Sequence, residues 1–92
     1  MRTVELFYLP GCPYCVKAKR AQTELKENPV LERVRVRWID ESEERDYADE
    51  HNYYYVPTFY VGEKKVYEAR PGSSYDEIRD GLKAAMSLAL EE

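Results

Sequence analysis

The only two cysteines of this chain, Cys12 and Cys15, stand three positions apart in the run Cys12-Pro13-Tyr14-Cys15. A pair at that spacing can hold a metal, lock the backbone as a disulfide, or cycle between dithiol and disulfide. A zinc site in one chain asks for four protein ligands, or three with an open position. Two cysteines and the single His51 do not reach four, and no carboxylate is obviously placed to help. An iron–sulfur cluster shared between two chains needs only one or two thiols from each, so that alternative stays open. A structural staple is unusual in a reducing compartment.

The redox reading accounts for more of the local sequence. Cys12 follows a strand-like run and a Pro10-Gly11 turn. Pro13 suits the first helical position, where its missing N–H is not needed. Cys12 then falls at the N-cap, where the free amides of the first turn and the positive end of the helix dipole favour a thiolate. Lys17, Lys19 and Arg20 add positive potential, much of it screened by distance and solvent. Cys15 comes one helical turn later, within bridging reach and on a more buried part of the turn. Cys12 is therefore expected to attack a substrate disulfide and Cys15 to resolve the mixed disulfide. Two unreactive, half-buried thiols are the bland alternative.

The elements that must hold this pair are well punctuated. Val4 to Leu9 is rich in strand formers and stops at Pro10-Gly11. Pro13 to about Lys26 favours helix, with Val16, Ala21 and Leu25 on one face, and Asn28-Pro29 ends it. Arg33 to Asp40 alternates: Val34, Val36 and Trp38 on a buried face, Arg33, Arg35 and Arg37 on a wet one. The arginines could serve a phosphate, but blunting an edge strand is the better reading. Ser42 to about His51 predicts a short helix. Thr58 to Val61 and Lys65 to Glu68 flank Gly62-Glu63-Lys64 as a hairpin. Ser74 and Glu77 form a capping box that opens a last helix with Ile78, Leu82, Ala85, Met86 and Ala89 on its apolar face.

The order is β-α-β-α-β-β-α, with neither internal repeat nor linker, so residues 1–92 read as one domain. The first two strands should be parallel through a right-handed crossover, and the last two antiparallel. A mixed four-stranded sheet flanked by three helices is the predicted α/β architecture. The chain is 43% apolar and 35% charged, with a net charge of −4 and a pI near 5.1. That balance argues against a nucleic-acid surface, which is usually basic. The run Val4 to Leu9 is far too short to span a bilayer and makes a poor signal peptide. The expectation is a cytoplasmic monomer.

Strand, turn, Cys-Pro-Tyr-Cys, helix, strand, helix, then Val56-Pro57 and a hairpin resembles the glutaredoxin branch of the thioredoxin fold. The likeness in element order covers nearly the whole chain. It implies a thiol–disulfide oxidoreductase with Cys12 and Cys15 catalytic and Pro13, Tyr14 and Pro57 supporting them. Val56-Pro57 looks like the family's cis-proline site, which would leave the Val56 backbone free to pair with an extended substrate. An ordinary trans proline at a strand start is the plain alternative.

The resemblance further implies disulfide-bearing protein substrates, no tightly bound cofactor, and glutathione as cosubstrate. Tyr14, Val56, Pro57, Ser73, Ser74 and Asp76 are then the substrate- and glutathione-binding residues. Two positions depart from the family pattern. Leu9 stands where many members have a lysine, and Gly72-Ser73-Ser74-Tyr75-Asp76 replaces a Gly-Gly motif at the last helix. Arg70 could replace the lysine or be a solvated loop charge. The departures leave room for a flavoprotein reductase as electron donor. Tyr53, Tyr54 and Tyr55 run into Val56-Pro57, and at least one is a candidate to face the substrate, two of the three packing inward being the plain alternative, while His51 reads as a helix-end residue.

Overall fold

The computed structural model describes all residues from Met1 to Glu92. The elements are β1 (Val4–Tyr8), α1 (Pro13–Leu25), a 3-10 turn (Leu31–Arg33), β2 (Val36–Asp40), α2 (Arg45–Asp49), β3 (Thr58–Val61), β4 (Lys64–Glu68) and α3 (Tyr75–Glu91). The sheet order is β2-β1-β3-β4. β1 runs parallel to β2 and antiparallel to β3, and β3 and β4 form the hairpin. This is the mixed four-stranded sheet with three helices expected from the order of elements. No helix is long and apolar enough to cross a membrane.

β1 lies inside the sheet, and its side chains alternate between two cores. Val4 and Leu6 join Phe59 and Val61 of β3 on the face covered by α1 and α3. There Ala18, Ala21 and Leu25 of α1 meet Ile78, Leu82, Ala85, Met86 and Ala89 of α3. The alanines let the two helices approach closely. Phe7 points to the other face, where it packs with Ile39, Ala48 and Tyr60 beneath α2. α3 also lies tight against β4, because a Cβ on Gly81 would collide with the Tyr67 ring.

The local signals explain most boundaries. At α3 both halves of the capping box form: Glu77 N–H donates to Ser74 Oγ at 3.1 Å, and Ser74 N–H donates to Glu77 Oε1 at 2.8 Å. At α2 the expected early start fails. Ser42 turns back on Asp40, whose Oδ1 accepts from both its N–H (2.9 Å) and its Oγ (2.6 Å). That local turn competes with helix, so α2 begins only at Arg45.

Two further expectations differ from the structure. Val16 does not share the face of Ala21 and Leu25: it is 58% exposed, and the buried residues of α1 are Cys15, Ala18, Ala21 and Leu25. Five residues separate Val16 from Ala21, which rotates it roughly 140° off that stripe. The predicted strand from Arg33 begins only at Val36, because Leu31–Arg33 winds into the 3-10 turn. Nor is the arginine face of β2 wet throughout: Ile39, on the same side as Arg37, is fully buried under α2. β2 is an edge strand, as its arginines suggested.

Candidate active site

Gly11 and Pro13 place the first cysteine. Gly11 turns the chain out of β1 at φ +81, a conformation that a side chain would strain. Cys12 then sits at the N-cap of α1 in extended conformation, with Pro13 as the first helical residue. Cys12 is half-buried and Cys15 is 5% exposed, both as free thiols. The Cys12 side chain makes no capping hydrogen bond to the first turn. Its Sγ lies instead 3.8 Å from the Val56 carbonyl oxygen, to which the thiol donates.

The segment carrying Val56 is tightly fixed. The Val56–Pro57 bond is cis, and Pro57 is buried. The Glu68 carboxylate accepts from the N–H groups of Tyr54 (2.7 Å) and Tyr55 (2.9 Å) and pairs with Lys65 at 2.8 Å. Burial would raise the Glu68 pKa, but those hydrogen bonds outweigh it and hold the carboxyl below its ordinary value. Thr58 Oγ1 donates to the Tyr55 carbonyl, and Ala69 N–H to the Pro57 carbonyl. The Val56 N–H has no partner within the protein. It is free to bond to an added strand.

Burial pushes the Cys15 thiol up to about 12. The Leu9 backbone opposes this by hydrogen bonding, whereas the hydrogen bond and charge of Cys12 reinforce it, as does the charge of Glu41. Cys15 therefore keeps its proton while Cys12 is free. Its thiol is positioned behind Cys12 as a proton-bearing neighbour.

Tyr14 joins this centre to the loop before α3. Its hydroxyl oxygen accepts from Gly72 N–H at 2.7 Å, and Lys17 Nζ donates to the Ser73 carbonyl at 3.2 Å. Ser73 is buried, and its Oγ accepts from Arg70 N–H (2.8 Å) and from the Tyr67 hydroxyl (3.2 Å). Ser73 N–H donates to the Arg70 carbonyl at 2.9 Å. Ser74 is engaged in its capping box, and the exposed Asp76 lies 3.6 Å from Arg79. Three successive amides, Gly72, Ser73 and Ser74, thus all donate within the protein. Arg70 is exposed and makes no ion pair.

Sequence reasoning missed a groove of about 320 Å³ beside the cysteines. Cys12 and Cys15 share its walls with Tyr8, Leu9, Val16, Lys19 and Trp38. Two signals could have found it. Sites in α/β folds collect at the C-terminal ends of parallel strands, where Tyr8 ends β1 and Trp38 stands two residues before the end of β2. The helical register also turns Val16 outward once Cys15 is inward.

The tyrosine run divides. Tyr53 packs on Phe7 at 5.2 Å and donates to Glu41 at 2.8 Å, while Tyr54 and Tyr55 are 88% and 48% exposed. None of the three lines the groove. His51 Nδ1 lies 2.8 Å from the Tyr47 carbonyl just past the end of α2. A carbonyl can only accept, so this nitrogen carries the proton. No three potential ligand side chains converge on a metal position. Cys12 is the more open of the two thiols, and so the one that fits a cluster shared between chains.

A family model described as Glutaredoxin matches residues 4–66. The matched range takes in both cysteines, Val56-Pro57 and the start of β4, and leaves out α3. No curated protein sequence matches the chain. Among solved structures, one described as "Structure of a malarial protein" superposes with a TM-score of 0.62 at 14% identity, covering 90% of this chain and 94% of that one. At that identity the likeness speaks for a shared fold alone.

Proposed function

The chain belongs to the glutaredoxin family, and on that premise we propose that it is a dithiol thiol–disulfide oxidoreductase working through Cys12 and Cys15. The observation that carries this reading is the pairing of a half-buried Cys12 at a helix start with a protonated, buried Cys15 behind it.

In the reductive direction the Cys12 thiolate attacks one sulfur of a substrate disulfide. The substrate S–S bond breaks, a Cys12–substrate disulfide forms, and the departing thiolate takes up a proton. Forming that bond removes the Cys12 charge and hydrogen bond that help to keep Cys15 protonated. Cys15 then ionises more readily and attacks Cys12 Sγ. The Cys12–Cys15 disulfide forms, and the second substrate thiolate leaves and is protonated. Two electrons have passed from protein to substrate, and the two substrate thiolates have taken up the proton released by Cys15 and one from water. The free Val56 amide and its carbonyl support backbone pairing with an extended protein substrate beside Cys12.

Two donors fit the return half of the cycle. Glutathione, which the family implies, would open the disulfide by forming a mixed disulfide on Cys12, and a second glutathione would release it as glutathione disulfide. The second reading is a protein donor such as a flavoprotein reductase. One observation favours it: the Gly72, Ser73 and Ser74 amides that could receive a glutathione carboxylate are already taken.

Trapping tests the cycle. Cys15→Ser should accumulate a mixed disulfide with a substrate, seen by mass spectrometry, while Cys12→Ser should neither trap nor turn over. Sustained turnover by Cys12→Ser would sink the reading. Incubating the oxidised protein with glutathione alone, then with a flavoprotein reductase and its nicotinamide cofactor, separates the donors by which one restores the dithiol.

A further inference from the structure

We infer that the groove between Val16 and Trp38 is a specificity subsite of this oxidoreductase, taking a large apolar side chain close to the attacked cysteine of a protein disulfide. The inference rests on the redox reading above and names the substrate class for it.

The groove is built rather than incidental. Trp38 is fixed from three directions: its indole N–H donates to Gln22 Oε1 at 2.6 Å, Lys19 Nζ lies 5.3 Å from its ring centre, and Tyr8 meets it edge-on at 5.2 Å and 74°. An aromatic wall held in this way loses little freedom when a ligand arrives. Opposite it, Val16 is 58% exposed, an apolar side chain on the outer face of α1. Leu9 and Pro10 continue the apolar lining, and both cysteines open into it. The volume of about 320 Å³ is near the low end for ligand pockets, about 300–1,000 Å³. It suits a side chain or two rather than a cofactor.

The position selects the occupant. Cys12 lines the groove and also meets the Val56 carbonyl, while Val56 is not part of the groove. A substrate segment paired with Val56 therefore delivers its cysteine to Cys12 with the groove directly alongside. Lys19 is the only charged residue in the lining and makes no ion pair. The preferred segment thus combines an apolar residue with a nearby carboxylate. Leu9, which stands where a lysine is common in the family, serves the apolar wall instead.

The test uses disulfide-linked dimers of one short peptide, with leucine or with serine at the two positions on each side of the cysteine. Stoichiometric reduced protein supplies the electrons from Cys12 and Cys15, so no outside donor is needed. The leucine dimer should be reduced about tenfold more efficiently, the size of effect an apolar pocket gives. Val16→Ser should bring that ratio towards one, and Val16→Leu should keep it. A ratio within one variant is blind to fold damage or thiol reactivity that affects both dimers. Trp38 is the only tryptophan. Its emission should shift to the blue when the leucine peptide, with its cysteine replaced by serine, binds to the Cys12→Ser protein, and the serine peptide should leave it unchanged.

Equal reduction of the two dimers by the wild type, or a ratio unchanged by Val16→Ser, would overturn the subsite, as would an unmoved Trp38 signal. Efficient reduction by Cys12→Ser would instead overturn the redox reading, and this inference with it.

Discussion

On one side of β1, Phe7 is closed in by Tyr47, His51, Tyr53 and Tyr60, with ring centres 4.6–6.0 Å away. On the other, Tyr8 and Trp38 meet edge-on and stay open to the groove beside Cys12. The two clusters use similar residues differently. In the first, each tyrosine hydroxyl has a partner: Tyr47 bonds Glu5, Tyr53 bonds Glu41, and Tyr60 exchanges hydrogen bonds with Asn52, while His51 Nδ1 holds the Tyr47 carbonyl. Buried polar groups must be satisfied, so those tyrosines are committed to the fold. In the second, the only locked tip is the Trp38 indole, and apolar surface is left over. An aromatic cluster whose tyrosine hydroxyls are all occupied is architecture; one that leaves apolar surface free beside Cys12 has the makings of a binding wall.

That contrast can be broken most forcefully by truncation. Phe7→Ala removes the centre of the closed cluster, where Phe7 is fully buried, and should cost about 3–5 kcal/mol. Val16→Ser in the open groove should stay within about 0.5 kcal/mol, as exposed substitutions usually do. Urea unfolding of both variants measures the difference, and similar losses would erase the distinction.

Alkaline pH sharpens it next. A hydrogen bond to the Glu5 carboxylate raises Tyr47 to about 12, chiefly burial raises Tyr53, and burial raises Cys15 from 9.0 to about 12. Each raised group keeps its proton in the folded protein after the unfolded chain has begun to lose it. Stability from these groups is thus fully present below about pH 9 and lost as pH rises to about 12. Urea midpoints at pH 8, 10 and 11 should fall in that order. Tyr47→Phe and Tyr53→Phe should flatten the fall above pH 10, and a slope unchanged by both would separate the tyrosines from it.

The smallest effect lies at acid pH, on the strap between the two regions. The Glu68 pKa is lowered from 4.5, so its hold on Tyr54 and Tyr55 is present above that value and lost as pH falls through the folded pKa. Amide exchange at Tyr54 and Tyr55 should quicken on acidification relative to the β1 amides. Glu68→Gln should show the faster exchange already at neutral pH. If exchange at these amides does not change, Glu68 is not what fixes the segment carrying Val56.

Much of the framework was legible in the chain. The β1 and hairpin patterns, the capping box of Ser74 and Glu77, and the cysteines at a Pro-started helix all rest on interactions within a few residues, so local rules apply. The early start of α2 at Ser42 was misplaced because a side-chain turn on Asp40 competes with helix at the same residues. Val16 was misplaced because an apolar residue in a helix suggests a core face, whereas rotational register decides it. The loop before α3 offered Ser73 and Ser74 as ligands. Only contacts with Tyr14, Lys17, Arg70 and Tyr67, several of them distant in sequence, revealed that its amides and hydroxyls were occupied.

The sequence by itself determined the close spacing of Cys12 and Cys15, the place of Cys12 at a helix start and the order of strands and helices. These depend on spacing, proline geometry and periodicity, which the chain carries locally. Only the tertiary structure decided what surrounds the pair: the Val56 carbonyl 44 residues away, the burial that keeps Cys15 protonated, and the wall that Trp38 lends to the groove. Those features arise where separate segments are packed together, and their burial and partners exist only once the sheet and its helices have closed around them.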